Sequence, residues 1–444
     1  MILTIFMLIY GLGWGLLMPL ILAYLWKRGR KDPLYTQHLR ERFGFYSGSL
    51  PQNPIWFHAV SLGEIRSAVP LIQLVLDRGD TVVITNFTPA GRREAERQFP
   101  QEIAAGQLAV IWVPFDIAWC HQRFFRACSP RIALMLEVEI WPAMVLAARR
   151  AKLPLYLCNA QYSSRPKKRD AKGLRIRQRV IQKCAGAFVK SAIQAEQFAS
   201  VGLPNISVTG ELRFDQPIPK QQIDVATKVR HQIAHSGREI IAIASGVADE
   251  EDLYTGLIQS VAKQAEEDKR PTPLFIYVPR APERFDGVET LLLASNLKTL
   301  RRSKVLGDIH AGTDHFVKTP FPDGTHVLLG DSMGEMYFYL TLADRVIVGG
   351  GFNERGAHNI IEALSLRKPV LVGPITWPIE FPFVEAKQAG VAQDVTTAAE
   401  LIETLRVPSK VSQDSIIAFT SQHQGASQRT LQALDLVLAN NTTK

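Results

Sequence analysis

The segment from Val346 to Pro374, VIVGGGFNERGAHNIIEALSLRKPVLVGP, decides the fold. Its β-branched start, Val346–Val348, predicts a buried strand, and three glycines, Gly349–Gly351, follow where the backbone must turn sharply. An apolar period after the glycines predicts a helix that Pro369 ends, and Val370–Val372 predicts a second strand. Such a strand–loop–helix–strand unit is typical of a doubly wound α/β fold.

The turn between these two strands has features that suit a phosphate. A helix N-terminus presents free backbone N–H groups and the positive end of the helix dipole. Glu362, one turn on from His358 and Asn359, can face a ribose diol. The segment lacks the Gly-Lys-Ser/Thr of a P-loop and an early Gly-x-Gly-x-x-Gly, which argues against triphosphate hydrolysis and dinucleotide binding. A purely structural glycine-rich turn is the alternative.

The composition predicts two domains with complete cores. The chain has 444 residues, 46% of them hydrophobic, and two Rossmann-sized halves fit this length. Its net charge of +9 favours acidic partners. The four cysteines show neither Cys-x-x-Cys nor Cys/His metal-binding spacing, so we expect reduced, partly buried thiols.

The N-terminus predicts a membrane anchor. Met1 to Trp26 contain no charged side chain, and the basic cluster Lys27–Lys31 follows at once. As a helix this stretch can cross the roughly 30 Å hydrocarbon layer, and the lack of a small-residue cleavage site favours an uncleaved anchor. The basic cluster places the rest of the chain on the cytoplasmic side. Three glycines and Pro19 make the helix imperfect, so lying in the leaflet is an open alternative to spanning it.

The first half alternates strands with helices. Five strands are predicted, at 55–60, 81–85, 110–116, 132–136 and 153–158. Ser61 and Glu64 follow the first strand, at the carboxyl edge of a parallel sheet, where α/β folds place their chemistry. The same two residues have the spacing of a helix capping box, which is the structural alternative.

Glu137 and Glu139 follow the fourth predicted strand. In an extended chain, alternate side chains point the same way, so we expect these two carboxylates on one side of the backbone. Carboxylates that share a polar cleft shift one another's pKa. Anchoring a nearby arginine or loop backbone is the alternative role for one of them.

The second half repeats the alternation, with further strands predicted at 240–244, 274–278 and 327–329. Arg280 lies just past the second of these, where a guanidinium can clamp a phosphate. A surface salt bridge to Glu283 is the alternative. Beyond the third strand, the backbone at Met333 and Gly334 can read a base edge, and Glu335 can accept a hydrogen bond from a cytosine amino group.

A basic stretch and a linker lie between the halves. Arg165 to Lys183 contain Asp170 as their only acid, and with an anchor on the same chain this favours contact with anionic lipid or a phosphorylated lipid substrate. Aromatic stacking residues do not accompany these charges, so we expect no nucleic-acid partner. Pro217 and Pro219 predict an interdomain linker, where a hinge would let the halves close over substrates.

Nine motifs occur in order along almost the whole chain: SLGE, FTPAG, VPFD, LEVEIWP, CNAQYS, TGELRFD, YVPRAPERF, LGDSMGEM and GAHNIIEAL. They resemble the motifs of the Kdo (3-deoxy-D-manno-octulosonic acid) transferases. Members of this family are membrane-bound GT-B glycosyltransferases that attach Kdo to lipid A precursors. The resemblance implies an α/β GT-B fold of two Rossmann-like, doubly wound domains facing a central cleft, at the cytoplasmic side of the inner membrane.

The resemblance also implies what each part of the chain does. Residues 1–26 would be the anchor helix, 27–50 a basic juxtamembrane segment, 51–216 the acceptor domain, 217–405 the CMP-sugar donor domain, and 406–444 a C-terminal helix packing back toward the first domain. The expected partners are a CMP-sugar donor, a phosphorylated lipid acceptor and the membrane. The expected reaction is a one-step inverting displacement that needs neither a cofactor nor a metal.

The family's functional residues fall on specific positions here. Its general base corresponds to Glu64, its transition-state carboxylate to Glu137, and its interdomain lysine to Arg213. A planar guanidinium does not replace a point charge without cost. By the same resemblance, the CMP part of the donor would be held by Pro279, Arg280, Met333, Gly334, Glu335, Asn359, Ile360, Ile361 and Glu362.

The chain departs from the family at turns that face the site. The departures are Ala143, Gln161–Tyr162, Gly246–Ala248 and Ile375–Ile379. They leave open a divergent paralogue that uses a related CMP-activated ulosonic acid or another lipid-linked acceptor. A non-catalytic, membrane-docked protein that binds CMP-sugar or lipid is an alternative of another class. The presence of Glu64, Glu137, Arg280 and Glu362 favours an enzyme.

Overall fold

The computed structural model describes residues 1–233, 237–311, 316–318, 321–322 and 324–442, and it divides into two compact units. Unit 1 comprises residues 1–216 and the chain from His423 onward, and unit 2 comprises Pro217–Gln422. Each unit contains a seven-stranded parallel sheet, which confirms the predicted doubly wound α/β class.

Unit 1 begins with the long apolar helix α1 and continues as alternating strands and helices. Its elements are α1 Ile2–Gly29, β1 Ile55–His58, α2 Leu62–Asp77, β2 Val82–Asn86, α3 Pro89–Gln98, α4 Pro100–Ala104, β3 Leu108–Trp112, α5 Ala118–Cys128, β4 Ile132–Leu136, α6 Pro142–Arg150, β5 Leu155–Ala160, α7 Ser164–Asp170, α8 Ile176–Ile181, β6 Gly186–Val189, α9 Ala192–Ala199 and β7 Ile206–Val208.

The sheet of unit 1 has the order β3-β2-β1-β4-β5-β6-β7. Alternate side chains of a strand point to opposite faces, and β1 shows this directly. Trp56 packs into the apolar core on one face, while Ile55 and Phe57 pack into the core on the other. Apart from the edge strand β7, which is largely exposed, the strands are buried on both sides, in keeping with their apolar runs.

Unit 2 repeats this plan after the linker. Its elements are α10 Lys220–Ile233, β8 Ile240–Gly246, α11 Glu251–Glu267, β9 Leu274–Pro279, α12 Phe285–Ala294, β10 Thr299–Arg301, α13 Arg302–Val305, β11 Val327–Leu329, α14 Met336–Leu342, β12 Arg345–Val348, α15 Ile361–Ser365, β13 Val370–Val372, α16 Glu380–Gln388, β14 Ala392–Asp394, α17 Ala398–Arg406 and α18 Gln413–His423. The sheet order is β10-β11-β9-β8-β12-β13-β14.

The chain ends with α19, Ala426–Thr442, which belongs to unit 1. Where the sequence predicts one closing helix, the structure has two, because Gly425 takes a φ of 80° between α18 and α19. The Asp215 carboxylate accepts hydrogen bonds from the N–H groups of Gly425 and Ser427, each over 2.6 Å. These bonds hold the start of α19 against the end of the first stretch of unit 1.

Candidate active site

Glu64 lies in the first turn of α2. Ser61 is the N-cap, and its hydroxyl donates to Glu64 Oε1 over 3.0 Å and accepts from the Glu64 N–H over 3.4 Å. The Val60 N–H donates to Glu64 Oε2 over 2.7 Å. Ser61 therefore caps α2 as the spacing allowed, but the capping box is only half formed, because Glu64 accepts from the N–H of Val60, one residue before the N-cap. These bonds hold the carboxylate at the carboxyl end of β1.

The surroundings of Glu64 make its carboxyl hard to ionise. Burial raises its pKa from 4.5 to about 8, and the negative charges of Glu137 and Glu139 act in the same direction. Within the described residues, neither oxygen of Glu64 forms an ion pair. A carboxylate with a raised pKa is a strong proton acceptor once it is ionised, and a pKa near that of the solution suits general base catalysis.

Glu137 does not continue β4 in an extended conformation. Its φ of 56° lies in the left-handed region, and its N–H donates to the carbonyl of Cys158 over 2.8 Å. The prediction that Glu137 and Glu139 alternate along an extended chain is therefore wrong, because the backbone turns at the end of the strand. Glu137 pairs with Arg213 at 3.1 Å, while Glu139 accepts a bond from Trp141 Nε1 over 3.2 Å.

A buried ion pair supports this arrangement from behind. Lys190 Nζ lies 2.6 Å from Glu211 Oε2 and 4.0 Å from Glu137 Oε1. Asn159 Nδ2 donates to the other Glu211 oxygen over 2.8 Å. Burial opposes ionisation of Glu211, but the charges of Lys190 and Arg213 outweigh it and hold its pKa below 4.5. Two cations therefore lie beside Glu137, and one of them is buried.

Lys190, Glu211 and Asn159 were missed as site residues in the sequence. Asn159 and Glu211 lie within the CNAQYS and TGELRFD motifs, so the motifs were a signal that could have identified them. Lys190 follows the short strand β6, which was itself not predicted. Its position at the carboxyl end of a parallel strand is the signal that was available.

His58, at the end of β1, is not available as a proton carrier near neutral pH. It is fully buried, and burial lowers its pKa to about 3. Its Nδ1 contacts the Thr85 hydroxyl at 2.9 Å, and the ring of Trp141 packs against it with the centroids 5.5 Å apart. Of His58 and Glu64, it is thus Glu64 whose pKa lies nearer to neutrality.

In unit 2, the glycine-rich loop is occupied by a side chain of the protein itself. The buried Glu250 accepts from the Gly350 N–H over 2.6 Å and from the Phe352 N–H over 2.7 Å. The Tyr254 hydroxyl donates to the same carboxylate over 3.1 Å. The expectation that this loop holds a phosphate is therefore wrong for these two amides, because a carboxylate takes the place that an anion would fill.

The close packing of this loop requires glycine. A Cβ on Gly351 would lie 2.4 Å from the backbone nitrogen of Gly373, and Gly350 has a φ of 92°. The helix after the loop is also shorter than its apolar period suggests, since α15 spans only Ile361–Ser365. Its first N–H, that of Ile361, donates to the Asn359 side chain over 3.0 Å. The first turn thus has fewer free donors than predicted.

Arg280 follows β9 and faces the turn that contains Asn359. Its Nη1 lies 2.9 Å from His358 Nε2, and its N–H donates to the Gly246 carbonyl over 2.9 Å. The alternative salt bridge with Glu283 does not form, and in the described part of the chain Arg280 pairs with no carboxylate. Burial, then the charge of Arg280, lower the pKa of His358 to about 4, so the imidazole is neutral.

Met333 to Glu335 form the turn between β11 and α14. Met333 is exposed, and Gly334 has a φ of 80°. Glu335 is held by Arg302, whose Nη2 lies 2.8 Å from Oε1, and by the Ser332 hydroxyl. Both of its oxygens thus have partners within unit 2, which leaves less of the carboxylate for a cytosine amino group than the sequence suggests.

The remaining candidates lie where the sequence places them. Pro279 ends β9 opposite Gly246, Ile360 caps α15, and Glu362 lies in its first turn, partly buried. Unit 1 therefore brings Glu64, Glu137 and Arg213 to the carboxyl ends of its strands. Unit 2 brings Arg280, His358 and Asn359 to the same edge of its own sheet.

Known proteins resemble this chain over almost its whole length. A family model described as 3-deoxy-D-manno-octulosonic-acid transferase (kdotransferase) matches residues 37–216. The chain is 35% identical over 445 residues to the 3-deoxy-D-manno-octulosonic acid transferase of Bordetella pertussis, covering 96% of this chain and 98% of that one. It is 27% identical to the protein of the same name from Haemophilus influenzae, covering 95% and 96%.

Solved structures show the likeness of fold. Anabaena HepE, solved in complex with UDP, aligns over 87% of this chain and 100% of its own, with a TM-score of 0.57 and 13% identity. The UDP-GlcNAc 2-epimerase of Methanocaldococcus jannaschii aligns over 86% and 99%, with a TM-score of 0.53 and 13% identity. At these identities the likeness concerns the two-domain architecture alone, which agrees with the expected GT-B class.

Proposed function

The chain belongs to the 3-deoxy-D-manno-octulosonic-acid (Kdo) transferase family of glycosyltransferases, and we propose that it moves Kdo from CMP-Kdo to a lipid A precursor with Glu64 as the general base. The donor and the acceptor chemistry follow from the family. The resemblance to the family assigns the general base to Glu64, and one observation supports that proposal. A buried carboxylate with a pKa of about 8 and no ion-pair partner in the described residues lies at the carboxyl end of β1.

The proposed step is a single displacement with inversion. An acceptor hydroxyl attacks the anomeric carbon of Kdo, and its proton passes to a carboxylate oxygen of Glu64. The bond between the anomeric carbon and the phosphate oxygen breaks, and CMP leaves with the bonding electron pair. General base assistance of this kind typically contributes about 10²–10⁴-fold.

Charge on the departing phosphate needs a cation, and Arg280 is our candidate for it. Its guanidinium pairs with no carboxylate of the described residues and lies against the neutral His358. A fork of N–H donors suits two phosphate oxygens. With a cation in this position the transfer requires no metal ion, and we propose that it is metal-independent. Asn359 to Glu362 and Met333 to Glu335 remain the proposed surroundings of the cytidine and its ribose.

We assign the support of the transition state to Glu137 with Arg213. The 3.1 Å pair orients both groups, and Lys190 adds a second positive charge from the interior of unit 1. The departures from the family at Gly246–Ala248 and Ile375–Ile379 lie in turns of the donor unit. They favour testing related CMP-activated ulosonic acids beside Kdo.

The test combines donor binding with transfer. The full chain in detergent or vesicles is titrated with CMP by calorimetry and then assayed with CMP-Kdo and a lipid A precursor. We expect Glu64→Ala to abolish transfer while CMP binding survives. Normal turnover in that variant would remove Glu64 as the base. Binding of CMP without transfer to any acceptor would favour the non-catalytic binder, and transfer only from another donor would favour a paralogue.

A further inference from the structure

Helix α1 is apolar on every side, but only one side is covered. Its Trp14, Met18, Ile21 and Leu22 pack with the buried Leu25 against Phe115 and Cys120 of unit 1. Near its start, Leu3 packs against the core that lies on one face of the sheet. One stripe of α1 therefore contacts unit 1 from its first turn to its last.

The opposite stripe of α1 is exposed. Leu8, Leu12, Leu16 and Leu20 are 66%, 69%, 80% and 67% exposed. At 3.6 residues per turn they lie on the side away from Leu3 and Trp14. We call these four residues the leucine stripe. Exposed apolar surface of this length marks a site of interaction with a partner or a membrane.

A polar contact holds the middle of α1 to the interior of unit 1. The Tyr10 hydroxyl donates to Asp116 Oδ2 over 2.8 Å. Asp116 is buried and also accepts from the N–H groups of Ala143 and Met144 and contacts His121 Nε2 at 3.0 Å. Beside this contact, the Trp14 and Phe115 rings lie 5.7 Å apart.

This contact is incompatible with a helix that crosses the bilayer. A spanning helix of 28 residues would place its middle near the bilayer midplane. The loop that contains Phe115 and Asp116 would then lie at the depth of the hydrocarbon core, because it contacts Tyr10 and Trp14. Loops in contact with lipid do not occur at that depth, and a carboxylate near the midplane is strongly disfavoured.

The rim of α1 carries the chemistry of a lipid headgroup layer. Arginine guanidinium groups lie over aromatic rings in the pairs Arg28–Tyr35, Arg30–Trp26, Arg40–Phe45 and Arg123–Trp119, at 4.5 to 5.7 Å from the ring centroid. Aromatic rings concentrate at membrane–water interfaces, and basic clusters attract anionic lipid. The leucine stripe suits the acyl chains of one leaflet, and the arginine–aromatic pairs suit its anionic headgroups.

We propose that α1 lies in the plane of an anionic leaflet, seated on unit 1 by one face and presenting the leucine stripe to the acyl chains. The chain would thus be held on one side of the membrane, with its N-terminus on the same side as unit 1. This arrangement does not depend on the transferase assignment, since it follows from α1 and its contacts alone.

Depth measurements along the helix test the proposal. Each stripe residue is replaced singly by cysteine in the full chain, labelled with a fluorophore and reconstituted in vesicles of phosphatidylethanolamine and phosphatidylglycerol. The four native thiols should react poorly with the label, because all are buried and burial raises the pKa of each to about 12. Quenching by lipids with shallow or deep nitroxides then reports depth.

We expect the same depth for Leu8→Cys, Leu12→Cys, Leu16→Cys and Leu20→Cys. A spanning helix would instead separate the first and last of these by about 18 Å along the membrane normal, at 1.5 Å per residue, and that result would overturn the proposal. Fluorophores at the four positions that face water in the vesicle-bound protein would overturn it as well.

Sidedness gives an independent readout. Ile2→Cys and Lys31→Cys lie at the two ends of α1, and a membrane-impermeant maleimide is added to sealed vesicles of one orientation. We expect both variants to share one accessible face of the membrane. Labelling from opposite faces would show that the helix spans.

A second copy of the chain is the competing occupant of the leucine stripe. Leu12→Cys protomers are oxidised in vesicles at decreasing protein-to-lipid ratio, and we expect any disulfide-linked dimer to disappear on dilution. Cross-linking that persists at high dilution would assign the stripe to a dimer and overturn its assignment to lipid. Equal retention on vesicles with and without phosphatidylglycerol would overturn the anionic part of the proposal.

Discussion

The two units place glutamates at the same edge of similar sheets but use them differently. In unit 2, Glu250 is bound by two backbone amides, and Glu335 is bound by Arg302. In unit 1, Glu64 bonds within the described residues to Ser61 and to the Val60 N–H at the start of its helix, and burial raises its pKa to about 8. In this part of the chain, the edge of unit 2 gives both of its acids hydrogen-bond or ion-pair partners and leaves Arg280 without a carboxylate, while the edge of unit 1 keeps Glu64 without a cation.

This difference indicates which kind of ligand each sheet edge is suited to bind. An unpaired guanidinium favours a phosphate, whereas an unpaired carboxylate with a raised pKa favours a hydroxyl that must lose its proton. The strand–loop–helix plan is common to both units, so the plan does not decide the chemistry. The partners of the side chains at the strand ends decide it.

The largest effect is expected on the stability of unit 2 when Glu250 is removed. Glu250→Ala removes the acceptor of the Gly350 and Phe352 amides and leaves both buried. We expect a loss of about 3–5 kcal/mol in the stability of unit 2, measured by urea unfolding and by hydrogen exchange in segment 349–357. The matched control is Asp249→Ala, since Asp249 is exposed and its carboxylate accepts a hydrogen bond from the Asn353 side chain and none from the loop backbone in the described residues. Equal effects of both changes would show that Glu250 does not hold the loop.

A smaller effect is expected when the unpaired acid of unit 1 is removed. The folded-state pKa of Glu64 lies near 8 and the ordinary value is 4.5, so its contribution to stability is present below pH 4.5 and lost as the pH rises through 8. Glu64→Gln does not titrate. Its stability relative to wild type should therefore increase from pH 5 to pH 9 by up to about 4 kcal/mol, since each unit of pKa shift corresponds to about 1.4 kcal/mol.

The measurement for Glu64→Gln is a series of unfolding curves over this pH range. The control is Glu196→Gln, which removes an exposed carboxylate of α9 elsewhere in unit 1. Parallel stability curves for wild type and Glu64→Gln would contradict a raised pKa at Glu64.

A tenfold effect is expected on the affinity for CMP when Arg280 of unit 2 is replaced. Arg280→Gln removes the guanidinium that pairs with no carboxylate of the described residues, and we expect the Kd for CMP to rise by about 10-fold. Calorimetry with CMP measures this. In the control, Arg284→Gln, the lost guanidinium is one that already pairs with Glu251. If both variants lose the same affinity, Arg280 has no special role toward phosphate.

No effect is expected from removing divalent metal. If Arg280 neutralises the leaving phosphate, transfer from CMP-Kdo should be unchanged by a chelator and by added Mg²⁺, because a cation of the protein already occupies that role. Initial rates with EDTA and with excess Mg²⁺ measure this. Activity that is lost with the chelator and restored by the metal would contradict it.

The sequence allowed most of the fold to be predicted, and the misses share a cause. Five strands of each sheet were predicted from buried apolar runs, and all of them are present. The strands Gly186–Val189, Ile206–Val208, Thr299–Arg301 and Ala392–Asp394 were missed. They are three or four residues long, and Ile206–Val208 is largely exposed at an edge. Such strands owe their conformation to pairing with a neighbour rather than to their own pattern.

The site was predicted less completely, for the same kind of reason. The Ser61 N-cap of α2 and its hydrogen bond to Glu64 are local, and the structure has both. The capture of the glycine-rich loop by Glu250 joins residues about 100 positions apart, so no local spacing reveals it. The turn at Glu137 depends on a bond to the Cys158 carbonyl of the neighbouring strand's end.

The amino-acid sequence by itself determined the two parallel sheets, the apolar N-terminal helix and the order of motifs that identifies the family. These features follow from local apolar runs and periods, which can be recognised without knowing which distant residues they contact. Only the tertiary structure shows which carboxylates have hydrogen-bond or ion-pair partners, and which face of α1 is covered. Those outcomes depend on which charges, amides and apolar surfaces come into contact after folding. Electrostatic energies depend on the distance between the charges and on their burial, and packing energies depend on how closely apolar surfaces fit.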